Sequence, residues 1–199
     1  FGKLVLLMHV HLDRRGLVVI TVLLWKLVML VWARLPVPAN DAFFYDGAVV
    51  NFLLHGQYCN PSLAEALPLA GTRLFTAYPP LYQAVLLPWM ALFGTSAFSA
   101  MVLHFVLFAV FVLGWLAVVL HLRLPAWSRN VAALFLFGIT FTDRPDSLAH
   151  ALGIWAVYGW VRGMMPHKPR DGEAHGQPDE RWVWGGAVLA VLALCTSLQ

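Results

Sequence analysis

Residues 97–120 form an apolar run that contains no Asp, Glu, Lys or Arg. A helix needs about 20 apolar residues to cross the hydrocarbon core of a bilayer. Soluble domains carry about a quarter charged and about half apolar residues, whereas this chain has 12% charged and 60% hydrophobic residues. Together with a mean hydropathy of +0.73, the run predicts an all-α integral membrane protein.

Further apolar runs predict a polytopic bundle of transmembrane helices. Lys and Arg are concentrated before the first run and in the segments 121–129 and 162–181. Cytoplasmic loops carry an excess of these residues, so we expect the amino terminus and the 162–181 loop to be cytoplasmic and the protein to be multi-pass. The predicted spans lie at about 16–35, 97–120, 130–142, 147–161 and 182–199.

The apolar segment 81–95 decides the side on which all later segments lie. It contains Pro88 and as a helix would extend about 22 Å, less than the bilayer core of about 30 Å. If it crossed the membrane, both later basic flanks would lie outside. We therefore expect an interfacial helix at 81–95, within a long extracytoplasmic first loop over 36–96.

A second interfacial helix is predicted in this loop at 42–54. Its apolar residues recur at helical spacing, and it is followed by Gly56, a residue type that commonly ends helices. The chain begins at Phe1 and its last apolar run stops at Gln199, so we expect 1–199 to be the amino-terminal part of one transmembrane domain. The first span could also be a signal peptide, but it is longer than a typical signal core.

Two carboxylates lie just beyond the ends of predicted spans. Asp41 follows the first span, and Asp146 follows the third. With the topology above, both lie on the outer face of the membrane, where they frame a candidate site.

Several short motifs accompany these two acids. They are Asp41, Tyr45, Gly56, Tyr78-Pro79-Pro80-Leu81-Tyr82, Leu92-Phe93-Gly94 and Arg144-Pro145-Asp146-Ser147-Leu148-Ala149. In order and spacing they resemble the first two outer loops of the C-type glycosyltransferase superfamily. The most similar group includes the lipid A aminoarabinose transferases and the protein O-mannosyltransferases (family 39). The resemblance covers about 14–199 and departs at Ala42, where many of those enzymes carry an acidic residue.

The resemblance implies a membrane enzyme that takes a sugar from a polyprenyl-phosphate donor. The acceptor would be a lipid, a glycan or a protein on the outer face of the bacterial inner membrane, with no nucleic acid involved. It implies Asp41 and Asp146 as catalytic residues, and Arg144, Tyr45, Tyr78 and Tyr82 as substrate-binding residues. A divalent cation held by Asp41 and Asp146 is compatible with it, since such ions prefer oxygen ligands.

The chemistry of these side chains suits such a transfer. A carboxylate such as Asp41 can take the proton from an acceptor hydroxyl or amine, while Asp146 can orient the acceptor. A guanidinium such as Arg144 can hold phosphate oxygens through two hydrogen bonds. The sequence thus predicts a general base and a phosphate-binding group on the outer face of the membrane.

Each of these residues also has a structural interpretation. Asp41 and Asp146 can cap the helices that follow them, and Arg144 can anchor at lipid headgroups. The three tyrosines suit the membrane interface. Asp46 could be the acting carboxylate instead of Asp41, but its position one helical turn into the helix favours a solvated helix face. We expect His104 and His150 to be satisfied within the bundle, and Lys26 to face its interior with an unidentified partner.

A non-catalytic membrane protein, either a transporter or a structural subunit, remains the alternative function. Transporters commonly have broken spans in two related halves, with charged groups near the middle of the membrane. Here the acids lie at span ends, and Lys26 is the one charged residue near the middle of a predicted span. This distribution favours the transferase.

Overall fold

A computed structural model describes residues 14–34, 40–61, 80–122, 124–138, 144, 146–165 and 178–197. Within these ranges all regular secondary structure is helical, which confirms the predicted all-α class. The helices are α1 (Arg14–Val31), α2 (Asn40–His55), α3 (Leu81–Phe93), α4 (Ala97–Leu122), α5 (Ala126–Gly138), α6 (Asp146–Met164) and α7 (Glu180–Ser197).

Helix α4 is the longest of the described helices. Its 26 residues correspond to about 39 Å at 1.5 Å per residue. Among the described helices it is the one that is long and apolar enough to cross a membrane, while Leu17–Val31 and Leu81–Phe93 are shorter apolar helices. The predicted span at 97–120 therefore matches α4 closely.

Helices α4 and α6 pack side by side and run in the same direction. Near their middles, Trp155 Nε1 donates a 3.0 Å hydrogen bond to the carbonyl oxygen of Val110. At the far end, the His121 ring is 3.0 Å from the carbonyl oxygen of Met165. A side chain at Gly114 would collide with Ile154, so the absence of one there permits the close approach of these helices.

Helices α6 and α7 form an antiparallel pair with small residues at its contact. A Cβ atom at Gly159 would lie 2.9 Å from the carbonyl oxygen of Trp182, and one at Gly186 would lie 2.8 Å from that of Ala156. Small residues of this kind let helix backbones approach closely in membrane proteins. At the turn, Asp179 Oδ1 accepts a 3.1 Å hydrogen bond from the Arg181 amide and so caps α7.

Helix α1 packs against α4 and α5. Lys26 is 6% exposed, and its Nζ donates a 3.0 Å hydrogen bond to the carbonyl oxygen of Phe137, near the end of α5. The carbonyl end of a helix attracts cations. The expectation that Lys26 faces the interior is therefore confirmed, and its partner is the backbone of α5.

Helices α2 and α3 pack on each other and against the first half of α4. Helix α2 ends where Gly56 adopts a φ of 70° and its amide donates a 2.8 Å hydrogen bond to the Phe52 carbonyl, as predicted for this glycine. The apolar core between these helices, α4 and the start of α6 contains Tyr45, Val49, Tyr82, Leu86, Met90, Ala100, Leu103, Leu107 and Leu148.

The interfacial position of 42–54 stays a prediction, and the structure places part of its apolar face against protein. Val49 is fully buried against protein, whereas Leu54 is exposed. The apolar residues of α2 are therefore divided between the protein core and the outer surface. Most of the predicted cytoplasmic loop at 162–181, and the middle of the predicted outer loop at 36–96, lie outside the described residues.

Candidate functional site

Four polar side chains from four helices form a continuous hydrogen-bonded chain. The Tyr82 hydroxyl donates a 3.1 Å bond to Asp46 Oδ1 and lies 3.0 Å from His104 Nε2. On the other side of the imidazole, His104 Nδ1 lies 3.1 Å from Ser147 Oγ. The chain therefore joins α2, through α3 and α4, to the first turn of α6.

This polar chain lies within the apolar core. Tyr82 is 1% exposed and His104 is fully buried, while Ser147 is also buried. The rings of Tyr82 and His104 stack with their centroids 5.6 Å apart and their planes 18° from parallel. Buried polar groups are stable only when they are hydrogen-bonded, and here each of the three has such a partner.

The hydrogen-bond directions follow from the groups present. Tyr82 has one hydroxyl hydrogen, which it donates to Asp46, so its oxygen accepts from His104 Nε2. A neutral imidazole carries one N–H group, which leaves Nδ1 to accept from the Ser147 hydroxyl. With an ionised Asp46, every donor therefore points along the chain toward the carboxylate.

A second group of polar contacts fixes the segment that follows α2. Asn60 is buried and its amide donates a 2.8 Å bond to the Phe44 carbonyl. Gln83 donates a 3.2 Å bond to the Tyr45 carbonyl and accepts a hydrogen bond from Tyr58. Burial raises the pKa of the Tyr58 hydroxyl above its usual value of 10.0, because the charged phenolate is poorly solvated there.

Asp146 and Arg144 lie at the start of α6. Asp146 is the first residue of that helix and is half-buried, and Arg144 is exposed. The Ser147 amide donates a 3.1 Å bond to the Arg144 carbonyl, which closes the turn before the helix. A carboxylate in the first turn is favoured by the helix dipole, so the structural role weighed for Asp146 is compatible with this position.

The remaining predicted site residues occupy different surroundings. Asp41 lies in the first turn of α2, but its side chain is outside the described part, as is the whole of Tyr78. Tyr45 and Tyr82 are buried in the protein core, a position that suits neither of the two roles considered for them, substrate-binding residue or interfacial anchor. Their neighbours here are α2, α3 and α4 side chains.

The sequence interpretation missed three residues of the hydrogen-bonded chain. Asp46 is half-buried and bonded to Tyr82, although a solvated helix face was expected for it. His104 was expected to be satisfied in the bundle, and both of its ring nitrogens are indeed bonded. The sequence signal for His104 was a single polar ring within an otherwise apolar run. Ser147 belongs to the motif at 144–149, but no role was expected for it.

The described residues contain no group of three or more His, Cys, Asp and Glu side chains placed to hold a metal ion. The divalent cation expected on Asp41 and Asp146 stays a prediction, since the Asp41 carboxylate lies outside the described part.

Comparisons of this chain with protein-family models, curated proteins and solved structures give no match.

Proposed function

We propose that this chain belongs to a polytopic membrane glycosyltransferase. It would transfer a sugar from a polyprenyl-phosphate donor to a lipid, glycan or protein acceptor at the outer membrane face. The observation that carries the proposal is the hydrogen-bonded chain from Asp46 to Ser147. It links the acidic segment of α2 to the Arg144–Asp146 turn, so both acidic segments lie at one end of α4.

The apolar outer surfaces of several helices support a membrane location. Soluble proteins rarely expose large contiguous apolar patches, whereas lipid-facing helix surfaces are apolar. On α1 and α7, exposed apolar side chains recur along the helix: Leu17, Ile20, Leu24, Trp25, Leu27, Val28, Val31, Val188, Val191 and Leu194. With α4, these helices supply spans for the proposed bundle.

The charge at the other end of α4 and α6 supports an outer location for the site. Arg162 lies in the last turn of α6 and Arg181 in the first turn of α7. Arg34 and Arg144 lie at the end that carries Asp46 and Asp146, but the sequence segments 121–129 and 162–181 together carry six Lys and Arg residues. Since an excess of Lys and Arg marks the cytoplasmic side, the end that carries Asp46 and Asp146 would face outward. Polyprenyl-phosphate donors in the outer leaflet would reach the site from the surrounding lipid.

The proposed reaction assigns one task to each group. The acceptor oxygen or nitrogen bonds to the anomeric carbon of the sugar as the bond from that carbon to the phosphate oxygen breaks. Asp41 takes the acceptor proton, and Asp146 orients the acceptor. The leaving polyprenyl phosphate keeps the bonding electron pair, and the exposed Arg144 guanidinium stabilises its charge.

The transporter alternative loses its main support in the geometry of Lys26. A charge within a span is a common feature of transport pathways. Lys26, however, is bonded to the Phe137 carbonyl, so anchoring of α5 to α1 accounts for its position.

The proposal is tested with Asp41→Asn and Asp146→Asn variants expressed from the complete reading frame. Membranes would be supplied with polyprenyl-phosphate mannose or polyprenyl-phosphate aminoarabinose, and release of polyprenyl phosphate would be measured. We expect at least one donor to be used and each variant to lose about 10²–10⁴-fold in rate, the range for general acid–base groups.

Glu180→Gln is the matched control, because Glu180 is an exposed acid at the opposite end of the helices. It should retain the rate of the unaltered protein. Full activity in both Asp variants would contradict the assigned roles, and absence of transfer from both donors by the unaltered protein would contradict the function.

A further inference from the structure

Tyr82 and His104 connect the two acidic segments of the candidate site. Tyr82 bonds to Asp46 of α2, and His104 bonds to Ser147, the residue after Asp146. We propose that Tyr82 and His104 are positioning residues that hold the Asp46 carboxylate and the first turn of α6 in one fixed arrangement. This inference rests on the proposed function and adds Asp46 to its site.

Helices α2 and α6, which carry the acids, are connected mainly through α3 and α4. Helix α2 packs on α3, α3 on α4, and α4 on α6. Apolar contacts are non-directional, so the core alone leaves freedom for helices to slide or rotate. Hydrogen bonds depend steeply on distance and angle, and the Asp46–Tyr82–His104–Ser147 chain crosses every one of these contacts.

The burial of the Asp46–Tyr82–His104–Ser147 hydrogen bonds makes the relative position of the four helices specific. Tyr82 belongs to the apolar cluster that contains Leu86, Leu103 and Leu107, and His104 is fully buried. A shift of α2 relative to α6 would break a hydrogen bond of the buried Tyr82, His104 or Ser147, and a buried polar group that loses its partner is costly. The hydrogen bonds from Asp46 to Ser147 can therefore all form in only one relative position of the two acidic segments.

Tyr82→Phe is the direct test, because phenylalanine keeps the ring that stacks on His104 and removes only the hydroxyl. In the transfer assay we expect kcat to fall about 10–100-fold, the scale of loss for a displacement of about 1 Å at a catalytic group. The KM for the donor should change less than about twofold, because the variant impairs the relative position of α2 and α6, which carry Asp41 and Asp146, rather than donor binding.

Tyr58→Phe is the matched control. It also removes a partly buried phenol hydroxyl at the α2–α3 contact, where Tyr58 bonds to Gln83, outside the proposed chain. Its kcat should stay within about twofold of the unaltered protein. An equal loss of kcat in both variants would overturn the inference, because any damage to this contact would then suffice.

A distance measurement tests the positioning without activity. Spin labels would be placed at Leu54→Cys on α2 and His150→Cys on α6, both exposed positions, after Cys59 and Cys195 are replaced by Ser. We expect a single narrow distance distribution by pulsed electron paramagnetic resonance. Tyr82→Phe should broaden it, and Tyr58→Phe should leave it narrow.

The two readouts separate the two proposals. An unchanged distribution in Tyr82→Phe would overturn the positioning role, whatever the rate. If the unaltered protein transfers no sugar, the function fails, yet the width of the distribution still decides whether Tyr82 positions α2 relative to α6.

Discussion

Gly47 is the residue with the tightest geometric constraint near the candidate site. A Cβ atom there would lie 2.5 Å from Asn60 Oδ1, and Asn60 is itself bonded to the Phe44 carbonyl. The buried amide can therefore hold the segment after α2 only while residue 47 has no side chain. The sequence gives no sign of this, because Gly47 and Asn60 are separated by a helix end.

We expect Gly47→Ala to lower the free energy of unfolding by about 1–3 kcal/mol, the cost of overpacking a closed contact. Thermal unfolding in detergent would measure it. Gly153→Ala is the control, since nothing lies within 4 Å of the corresponding Cβ atom and alanine is favoured in a helix by about 0.5–1 kcal/mol. Equal stability changes in the two variants would contradict the close contact.

Lys26 shows what a single sequence can and cannot indicate about a residue. A charge within a span must be satisfied inside the protein, so its inward orientation was predictable. Its partner was not, because the Phe137 carbonyl lies 111 residues further along the chain and belongs to a backbone with no distinctive side chain.

Lys26→Met should loosen the end of α5, because the Phe137 carbonyl loses a charged donor in a buried position. We expect the backbone amides of Ala126–Gly138 to exchange hydrogen about tenfold faster or more. This change corresponds to a loss of about 1.4 kcal/mol or more in the free energy of local opening. Thr21→Val is the control, since Thr21 is exposed and bonds only to Leu17 of its own helix. Unchanged exchange in Lys26→Met would argue against an anchoring role.

At the scale of the helices, the sequence predicted well which segments are helical and about where these helices begin and end. The interfacial helix expected at 42–54 is Asn40–His55, and the span expected at 97–120 is Ala97–Leu122. Apolar periodicity and terminating glycines are local signals, so they define individual helices. The Asp46–Tyr82–His104–Ser147 chain depends on how four helices pack, and no local pattern specifies that arrangement.

The α6–α7 pair makes a prediction at this scale. Because a Cβ atom at Gly159 would meet backbone atoms of Trp182 and Gly186, Gly159→Ala must push the two helices apart. We expect a loss of about 1–3 kcal/mol in the free energy of unfolding, measured by thermal unfolding in detergent. A Cβ atom at Gly185 has no atom within 4 Å, so Gly185→Ala should be tolerated. A similar loss in the free energy of unfolding in Gly185→Ala would indicate a general effect of alanine.

For the whole molecule, polar groups are separated toward the two ends of the α4–α6 pair. Asp46, Asp146 and their hydrogen-bonded neighbours lie at one end, and Arg162 and Arg181 lie at the other. From the sequence, the membrane orientation of these ends was predicted by the distribution of Lys and Arg alone. The structure adds that α2 and α3 are packed on the same end as the start of α6, which sequence spacing could not establish.

This arrangement predicts the side of the membrane on which each end lies. Single cysteines at Leu54→Cys in α2 and Glu180→Cys in α7, in a protein with Cys59 and Cys195 replaced by Ser, would be exposed to a membrane-impermeant maleimide in intact cells. Both positions are solvent-accessible in the structure. Because Arg162 and Arg181 mark the cytoplasmic side, we expect labelling at position 54 in intact cells and at position 180 only after permeabilisation. The reverse pattern would place Asp46 and Asp146 in the cytoplasm, where a donor in the outer leaflet could not reach them.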